Sequence, residues 1–456
     1  MVIKKMFELP KLNDCNIAII GLGYVGLPLA LEYAKCKKSF IDKKTLKRNI
    51  IGFDINTKRI LQLRKGDDLT KETDLKIIDN LDNLEFTNDP DKLIDVDVFI
   101  ITVPTPIDIY KKPDLNFLKM ACQTIGTAMK KSISEFSPVV IFESTVYPGA
   151  TEEFCVPIIE SFSGLNIYTN SGKEKSFGYG YSPERINPGD KKHMISSVIK
   201  VTSGNNEEVA NWIDQLYGSV IKSGTYKAQS VKVAEAAKII ENTQRDLNIA
   251  LINELSIILR KLKIDTLDVL NAAKTKWNFI PFYPGLVGGH CIGVDPYYLT
   301  FKSEQVGYSP ELILAGRKIN DEIPSWHIEQ LILEMVRTGK KIATSNALIL
   351  GFTFKENCTD IRNTKVIDMV NTLKKYNVNI EVVDPYANKE ETFNHYGLKI
   401  KNKIENVKQY EIIIVTVSHQ YFLNFNFDFW KSLCKDEVII LDLKGIVPKN
   451  LNPIRP

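Results

Sequence analysis

Eight short runs of aliphatic and β-branched residues constrain this 456-residue chain more than any other feature. Four lie near its amino end: NIAIIGLG (16–23), NIIGFD (49–54), DVFIITVP (97–104) and PVVIFEST (138–145). Four more lie in the last third: ALILGFTF (347–354), NIEVVDP (379–385), EIIIVTVS (411–418) and EVIILDLKG (437–445). Runs this uniformly apolar read as strands buried on both faces, and such strands form parallel sheets covered by helices on each side. The predicted fold is α/β, with two Rossmann-like doubly wound parallel-sheet domains. Both sets keep one order: a strand ending near Gly, one ending in Asp, one ending in Thr-Val, and one leading into a turn. Either an α/β unit was duplicated or all doubly wound sheets look alike, and the fold is the same under both readings.

Between the sets, residues 231–263 contain neither Pro nor Gly. That stretch is far longer than the ~12-residue average helix. It predicts a long central helix joining the two domains. From Leu247 to Leu262 it is apolar around most of its circumference, which suits a spine between domains or a subunit interface. The expected division is a dinucleotide-binding domain over 1–215, a central helical and dimerisation domain over 216–330, and a second Rossmann-like domain over 331–456.

The charge balance, 59 basic against 55 acidic residues, excludes a case for nucleic acid or an anionic membrane surface. KSFIDKKTLKR (38–48) reads as a solvated insertion. No run of ~18 apolar residues marks a membrane span, and the start of the chain has no signal-peptide core. The seven cysteines are widely spaced with no CxxC, so neither a metal site nor a redox pair is signalled. Free thiols and a cytoplasmic location are expected.

GLGYVG (21–26) follows the first strand and opens a helix. Gly21 allows the tight turn, Gly23 lets the backbone approach a pyrophosphate, and Gly26 lets helix and strand pack closely. Asp54 ends the second strand, where a carboxylate accepts from ribose hydroxyls and favours NAD over NADP. It lies later than usual, and the basic insertion accounts for the delay.

A second motif surrounds one cysteine with four glycines: PGLVGGHCIGVDP (284–296). Glycines are too small to build a core there, so they suggest a loop wrapped around a substrate with the Cys291 thiol facing it. Asp295 could act as a base or hold a water. His290 could tune the thiol or serve the structure alone. On the long helix Lys238, Asn242 and Arg245 share one face, either as a site or as a solvated surface. An NAD site with a covalent thiol points to oxidation through an aldehyde, its capture as a thiohemiacetal, a second oxidation to a thioester, and hydrolysis. Lys238 would stabilise the oxyanion.

These motifs resemble, in order and over nearly the whole chain, the UDP-glucose/GDP-mannose dehydrogenase family. GLGYVGLPLA (21–30), VPTP (103–106), ESTVYPG (143–149), SPERINPG (182–189), EAAKIIENT (235–243), GGHCIGVDP (288–296) and GFTFKENCTDIR (351–362) carry the resemblance. It implies a four-electron, NAD-dependent oxidation of a UDP-sugar, with Cys291 as nucleophile, Lys238 as acid/base or oxyanion lysine supported by Asn242, and Asp295 handling water and protons. Thr145 and Glu184 match residues around the reacting carbon. Tyr24, Val25, Arg59, Thr105 and Arg362 fall among the implied cofactor contacts. Lys355 matches the lysine that binds the UDP diphosphate, and Arg245, Tyr283, Gly288, His290 and Arg317 complete the implied substrate contacts. No metal is implied.

One position departs from the UDP-glucose enzymes, which carry a second glutamate four residues after the one matching Glu184. Here that position is Pro188. The departure favours a UDP-N-acetylhexosamine, UDP-N-acetylglucosamine or UDP-N-acetylgalactosamine, with Arg185 and Asn187 as candidate acetamido contacts. UDP-glucose and UDP-N-acetylmannosamine stay as alternatives, as do a two-electron hydroxyacid dehydrogenase and a non-catalytic NAD-binding protein. The implied role is surface-polysaccharide synthesis by a homodimer.

Overall fold

The computed structural model describes residues 7–68, 81–169, 174–185, 195–405 and 407–456. The chain forms two compact units, Met1–Glu241 with Tyr297–Val306, and Asn242–Pro296 with Gly307–Pro456.

The first unit holds β1 (Asp14–Ile20), α1 (Gly26–Lys35), β2 (Lys47–Phe53), α2 (Thr57–Arg64), β3 (Leu84–Thr87), β4 (Val98–Ile101), α3 (Asn116–Lys131), β5 (Val139–Phe142), α4 (Val156–Ser163), β6 (Asn166–Ile167) and β7 (Ser176–Tyr181). These seven strands make one sheet in the order β3-β2-β1-β4-β5-β7-β6, and every pairing is parallel. All four predicted amino-terminal strands are present. β3 was not predicted, because LEFT (84–87) carries only two apolar residues at a sheet edge. After β7 come β8 (Lys200–Thr202), α5 (Glu207–Gly218) and β9 (Thr225–Lys227), with β8 and β9 paired in a small sheet of their own.

The insertion at 38–48 is not simply solvated. The Phe40 amide donates to the Ser219 carbonyl at 2.9 Å. Arg48 belongs to β2, is buried, and donates to Ser219 Oγ and the Leu12 carbonyl. An arginine inside a strand is tolerated here because carbonyls and a hydroxyl take its N–H groups.

The long helix α6 (Val231–Lys261) begins in the first unit, and the division falls within it. Then follow α7 (Thr266–Ala273), α8 (Asp295–Gln305) and α9 (Glu311–Arg337), a 27-residue helix that continues through Pro324. The second unit continues with β10 (Asn346–Leu350), α10 (Val366–Lys375), β11 (Asn379–Val383), α11 (Lys389–Tyr396), β12 (Tyr410–Val415), α12 (Gln420–Leu423), α13 (Phe427–Leu433) and β13 (Cys434–Asp442). Its sheet runs β11-β10-β12-β13, all parallel, with apolar clusters on both faces.

The carboxyl half of α6 is less uniformly buried than its sequence suggests. Leu251, Leu255, Ile258 and Leu262 are exposed. The buried face is partly polar: Asn253 and Ser256 are both fully buried. Gly316 of α9 lets that helix approach, since a Cβ there would meet Leu247 at 2.5 Å.

The two sheets share a skeleton that goes deeper than strand order. Gly21 and Gly351 each follow the first strand of their sheet with φ of +95° and +102°. Their amides donate to Phe53 and Val383, the last residues of the neighbouring strands. Thr102 Oγ1 donates to the Ile20 and Gly21 carbonyls, and Thr416 Oγ1 donates to those of Leu350 and Gly351. Asp54 and Asp384 each accept from the amide just past the glycine, Leu22 and Phe352. Matching side-chain bonds at matching positions support duplication over mere likeness of sheets.

Candidate active site

In open parallel sheets, ligands bind at the carboxyl ends of the strands, where the strand order reverses. In the first unit that point lies between β1 and β4. The three glycines of the turn after β1 have separable duties. A Cβ on Gly26 would sit 1.9 Å from the Gly21 carbonyl oxygen, so only glycine lets α1 start there. A Cβ on Gly23 would meet nothing within 4 Å, which leaves its backbone open to a ligand. Val25, its side chain buried, caps α1 with no side-chain hydrogen bond, and backbone amides at such a helix start are the natural phosphate contacts.

Asp54 accepts from Leu22 N on Oδ2 and from Asn56 N on Oδ1, at 2.9 and 2.8 Å. A carboxylate has about four acceptor positions, so two remain for ribose hydroxyls. Arg59 links the turn to its surroundings, with Nε on the Leu22 carbonyl (3.0 Å) and Nη2 on Asp68 (2.8 Å). The cradle fits NAD: open at Gly23, closed at Gly26, acid at the end of β2.

Along the same edge, Thr105 Oγ1 donates to the Thr145 carbonyl at 2.7 Å and ties the loops after β4 and β5. Tyr298 of α8 donates to the Thr105 carbonyl at 2.8 Å. Glu184 follows β7 and is buried, its Oε1 accepting from Arg185 N. Arg185 pairs with Glu241 at 2.7 Å. Asn187 and Pro188 lie outside the described residues.

Sequence reasoning missed the support beneath Glu184. Lys200 of β8 lies 3.8 Å from Glu184 Oε2 and 2.7 Å from Glu143 Oε2. The Tyr217 hydroxyl closes on Glu143 Oε1. Burial pushes the Glu143 carboxyl up, against the pull of Lys200. The available signal was a lysine inside a β-branched run, VIKVT (198–202).

Lys238 is buried in the first part of α6. One turn earlier, Glu235 accepts from the amides of Gly149 (2.6 Å) and Thr151 (2.9 Å), fixing the helix to the loop that carries Thr145. Burial raises the Glu235 carboxyl to about 7 despite those two amides.

In the second unit the cysteine loop is pinned at several places. Asn253 clamps Gly285 through both its amide and its carbonyl, at 2.9 and 3.0 Å. Asn363 Nδ2 donates to the Gly289 carbonyl. The glycines turn out to be demanded by the protein itself. A Cβ on Gly288 would meet the Asn363 carbonyl oxygen at 2.9 Å, and Gly289 has a φ of +83° with the Phe354 ring 3.0 Å from where its Cβ would be. Gly293 is not a strained turn position, since its φ is not positive; it leaves room above the Arg317 guanidinium. Arg317 is itself buried in an ion cluster, 2.6 Å from both Asp246 and Asp321.

Cys291 is partly buried, and its carbonyl accepts from the amides of Val294 and Asp295. The residue therefore starts the turn that leads into α8. Asp295 is 1% exposed, and Asn242 Nδ2 donates to its Oδ2 at 2.6 Å. The structure thus brings together two of the residues singled out on separate motifs. Arg245 and Tyr283 are exposed. His290 faces Asp360 at 3.6 Å and the edge of Phe354. Arg362 forks onto the same Asp360, which overcomes the upward push of burial and lowers that carboxyl. Lys355 stands in the loop after β10, its ammonium 5.4 Å from the Phe354 ring centre. Among the described residues no cluster of His, Cys, Asp or Glu has the make-up of a metal site, and no helix is long and apolar enough to cross a membrane.

A glycine cradle with its acid and two Rossmann-like units define a dinucleotide-dependent dehydrogenase. Residues 15–221 match the NAD binding domain of the UDP-glucose/GDP-mannose dehydrogenase family, 232–322 its central domain and 348–449 its UDP binding domain. The chain belongs to that family and is an NAD-dependent nucleotide-sugar dehydrogenase. It is 49% identical over 444 residues to a UDP-N-acetyl-D-glucosamine 6-dehydrogenase of Salmonella typhi, covering 97% of this chain and 99% of that one. It is likewise 49% identical over 444 residues to an enzyme of the same name from Pseudomonas aeruginosa, covering 97% and 100%. Among solved structures, the UDP-D-ManNAc dehydrogenase of Pyrococcus horikoshii superposes with a TM-score of 0.79 at 27% identity, covering 95% of this chain and 96% of that one.

Proposed function

We propose that this enzyme oxidises C6 of UDP-N-acetylglucosamine to the UDP-N-acetylhexosaminuronic acid, in the cytoplasm, for surface-polysaccharide synthesis. The observation that carries the sugar is the near-complete alignment, at 49% identity, with two enzymes named for that substrate. UDP-N-acetylgalactosamine, which differs at one hydroxyl, is the nearest competitor. All seven cysteines are free, which suits a reducing compartment.

Bound NAD supplies the hydride acceptor for both oxidations. The chain's own residues do the rest. Glu184 and Thr145 stand at the carboxyl edge of the first sheet, near the expected position of the reacting carbon. The Cys291 thiolate adds to the aldehyde carbon, and Lys238 stabilises the oxygen that becomes negative. The second oxidation leaves a thioester on Sγ. Asp295, oriented by Asn242, accepts a proton from the water that attacks the thioester, releasing the carboxylate and the thiol. Arg59 and Arg362 are assigned to the cofactor and Lys355 to the diphosphate. Arg185, Asn187, Arg245, Tyr283, His290 and Arg317 complete the assignments toward the sugar nucleotide.

Mixing protein, NAD and each of UDP-N-acetylglucosamine, UDP-N-acetylgalactosamine, UDP-N-acetylmannosamine and UDP-glucose tests the reading. Two NADH per sugar and the fastest turnover with UDP-N-acetylglucosamine are expected. One NADH per sugar, with aldehyde released, would overturn the covalent route; preference for another sugar would overturn the substrate.

A further inference from the structure

His419, at the carboxyl end of β12, takes no part in the chemistry above, yet it is fully buried and bonded on both ring nitrogens. Nε2 lies 2.9 Å from Asp384 Oδ2 and 3.2 Å from Thr353 Oγ1. Nδ1 lies 3.0 Å from the Asn357 backbone nitrogen. The partners determine the tautomer. A backbone N–H only donates, so Nδ1 accepts. Thr353 Oγ1 gives its own proton to the Lys355 carbonyl at 3.0 Å, so Nε2 carries the hydrogen shared between Thr353 and Asp384. The rings of Tyr386 and Phe422 pack against the imidazole at 5.0 and 5.6 Å.

Asp384 is the counterpart of Asp54, but its carboxylate is full. Oδ1 accepts from the amides of Tyr386 and Ala387, and Oδ2 from those of Phe352 and Thr353 as well as from His419. Burial alone would raise this carboxyl, and the His419 and backbone hydrogen bonds more than offset it, holding it at about 2. No acceptor position remains for a ribose. Three of their partners, Phe352, Thr353 and Asn357, belong to the loop 352–357, which carries Lys355. Asn357, at a φ of +53°, ends that loop, and its side chain accepts from the Gln420 amide.

We propose that His419 is a positioning residue for nucleoside-diphosphate binding: through Nδ1 and the Asn357 amide it anchors the loop that presents Lys355, while its Nε2 rests on Asp384, the counterpart of Asp54. This rests on the reading of Lys355 as the diphosphate contact.

Calorimetric titration of UDP into the full-length protein tests it, with NAD titration and thermal melting as controls, on Lys355→Ala, His419→Asn and His419→Gln. Asparagine keeps an acceptor near the Nδ1 position and so the bond to Asn357; glutamine keeps a donor to Asp384 and loses the Asn357 bond. His419→Gln is expected to weaken UDP about five- to tenfold, the size of one hydrogen bond. His419→Asn is expected to stay within about twofold, since that bond is retained. In hydrogen exchange the Asn357 amide should quicken in His419→Gln and stay protected in His419→Asn. If Lys355→Ala weakens UDP while both His419 variants bind it like the wild type, or both weaken it equally, the positioning claim is wrong. If Lys355→Ala binds UDP undiminished, the reading of Lys355 fails instead.

Discussion

At the scale of single residues, the glycine turn separates two requirements that one motif normally blurs. Gly26 is required by packing and Gly23 is left open for a ligand. Gly26→Ala should therefore destabilise the protein by about 1–3 kcal/mol or more, from overpacking against backbone. Gly23→Ala should leave the melting temperature nearly unchanged and weaken NAD. A melting scan beside an NAD titration reads both, and equal loss of stability in the two variants would contradict the division. Cys291 has a different signature. Cys291→Ser should abolish the second NADH, because an alkoxide at a serine is far harder to form than a thiolate. Stoichiometric NADH counts check this, and full turnover would instead favour a two-electron hydroxyacid-type dehydrogenase. Cys291 stood out in sequence because nothing structural calls for a cysteine among glycines. The reason for those glycines was not, since it lies in Phe354 and Asn363, more than sixty positions away.

At the scale of elements, α6 ties the first sheet's edge to its own face through Glu235. With its carboxyl at about 7 against an ordinary 4.5, Glu235 binds its proton more tightly in the folded protein. Its contribution to stability is full below about pH 4.5 and is lost as pH rises through 7, by about 3 kcal/mol at most. Urea midpoints measured between pH 5 and 8 should fall for wild type relative to Glu235→Gln as pH rises, since glutamine stays neutral throughout; parallel curves would refute the assignment. β8 offers a second case. Removing the ammonium in Lys200→Met leaves Glu143 and Glu184 as neighbouring buried carboxyls, at a cost of about 3–5 kcal/mol. Denaturant unfolding would show a shift well below 1 kcal/mol if the pair were idle. Strand runs and the long helix could be read from period and composition. The Glu143–Lys200–Glu184 cluster could not, because its members follow β5, follow β7 and lie on β8, segments that meet only after folding.

At the scale of the whole molecule, two copies of one skeleton have diverged in what their acids do. Asp54 retains acceptor positions, whereas Asp384 has spent all of its own. The exposed stripe Leu251, Leu255 and Ile258 on α6, continued by Leu262 just past its end, is apolar surface that a second copy of the chain is expected to cover. Light scattering should give twice the 51.7 kDa chain mass, and Leu255→Glu with Ile258→Glu should shift it toward the monomer. A monomeric wild type would refute the dimer. The sequence by itself determined the α/β class, the parallel strands and the dinucleotide turn with its acid. Those rest on local period and on residue types whose chemistry is intrinsic. Only the tertiary structure decided which glycines serve packing, that Asn242 holds Asp295, and that His419 bonds Asp384. These are contacts between residues far apart in the chain, and no local pattern encodes which distant partner a side chain will meet.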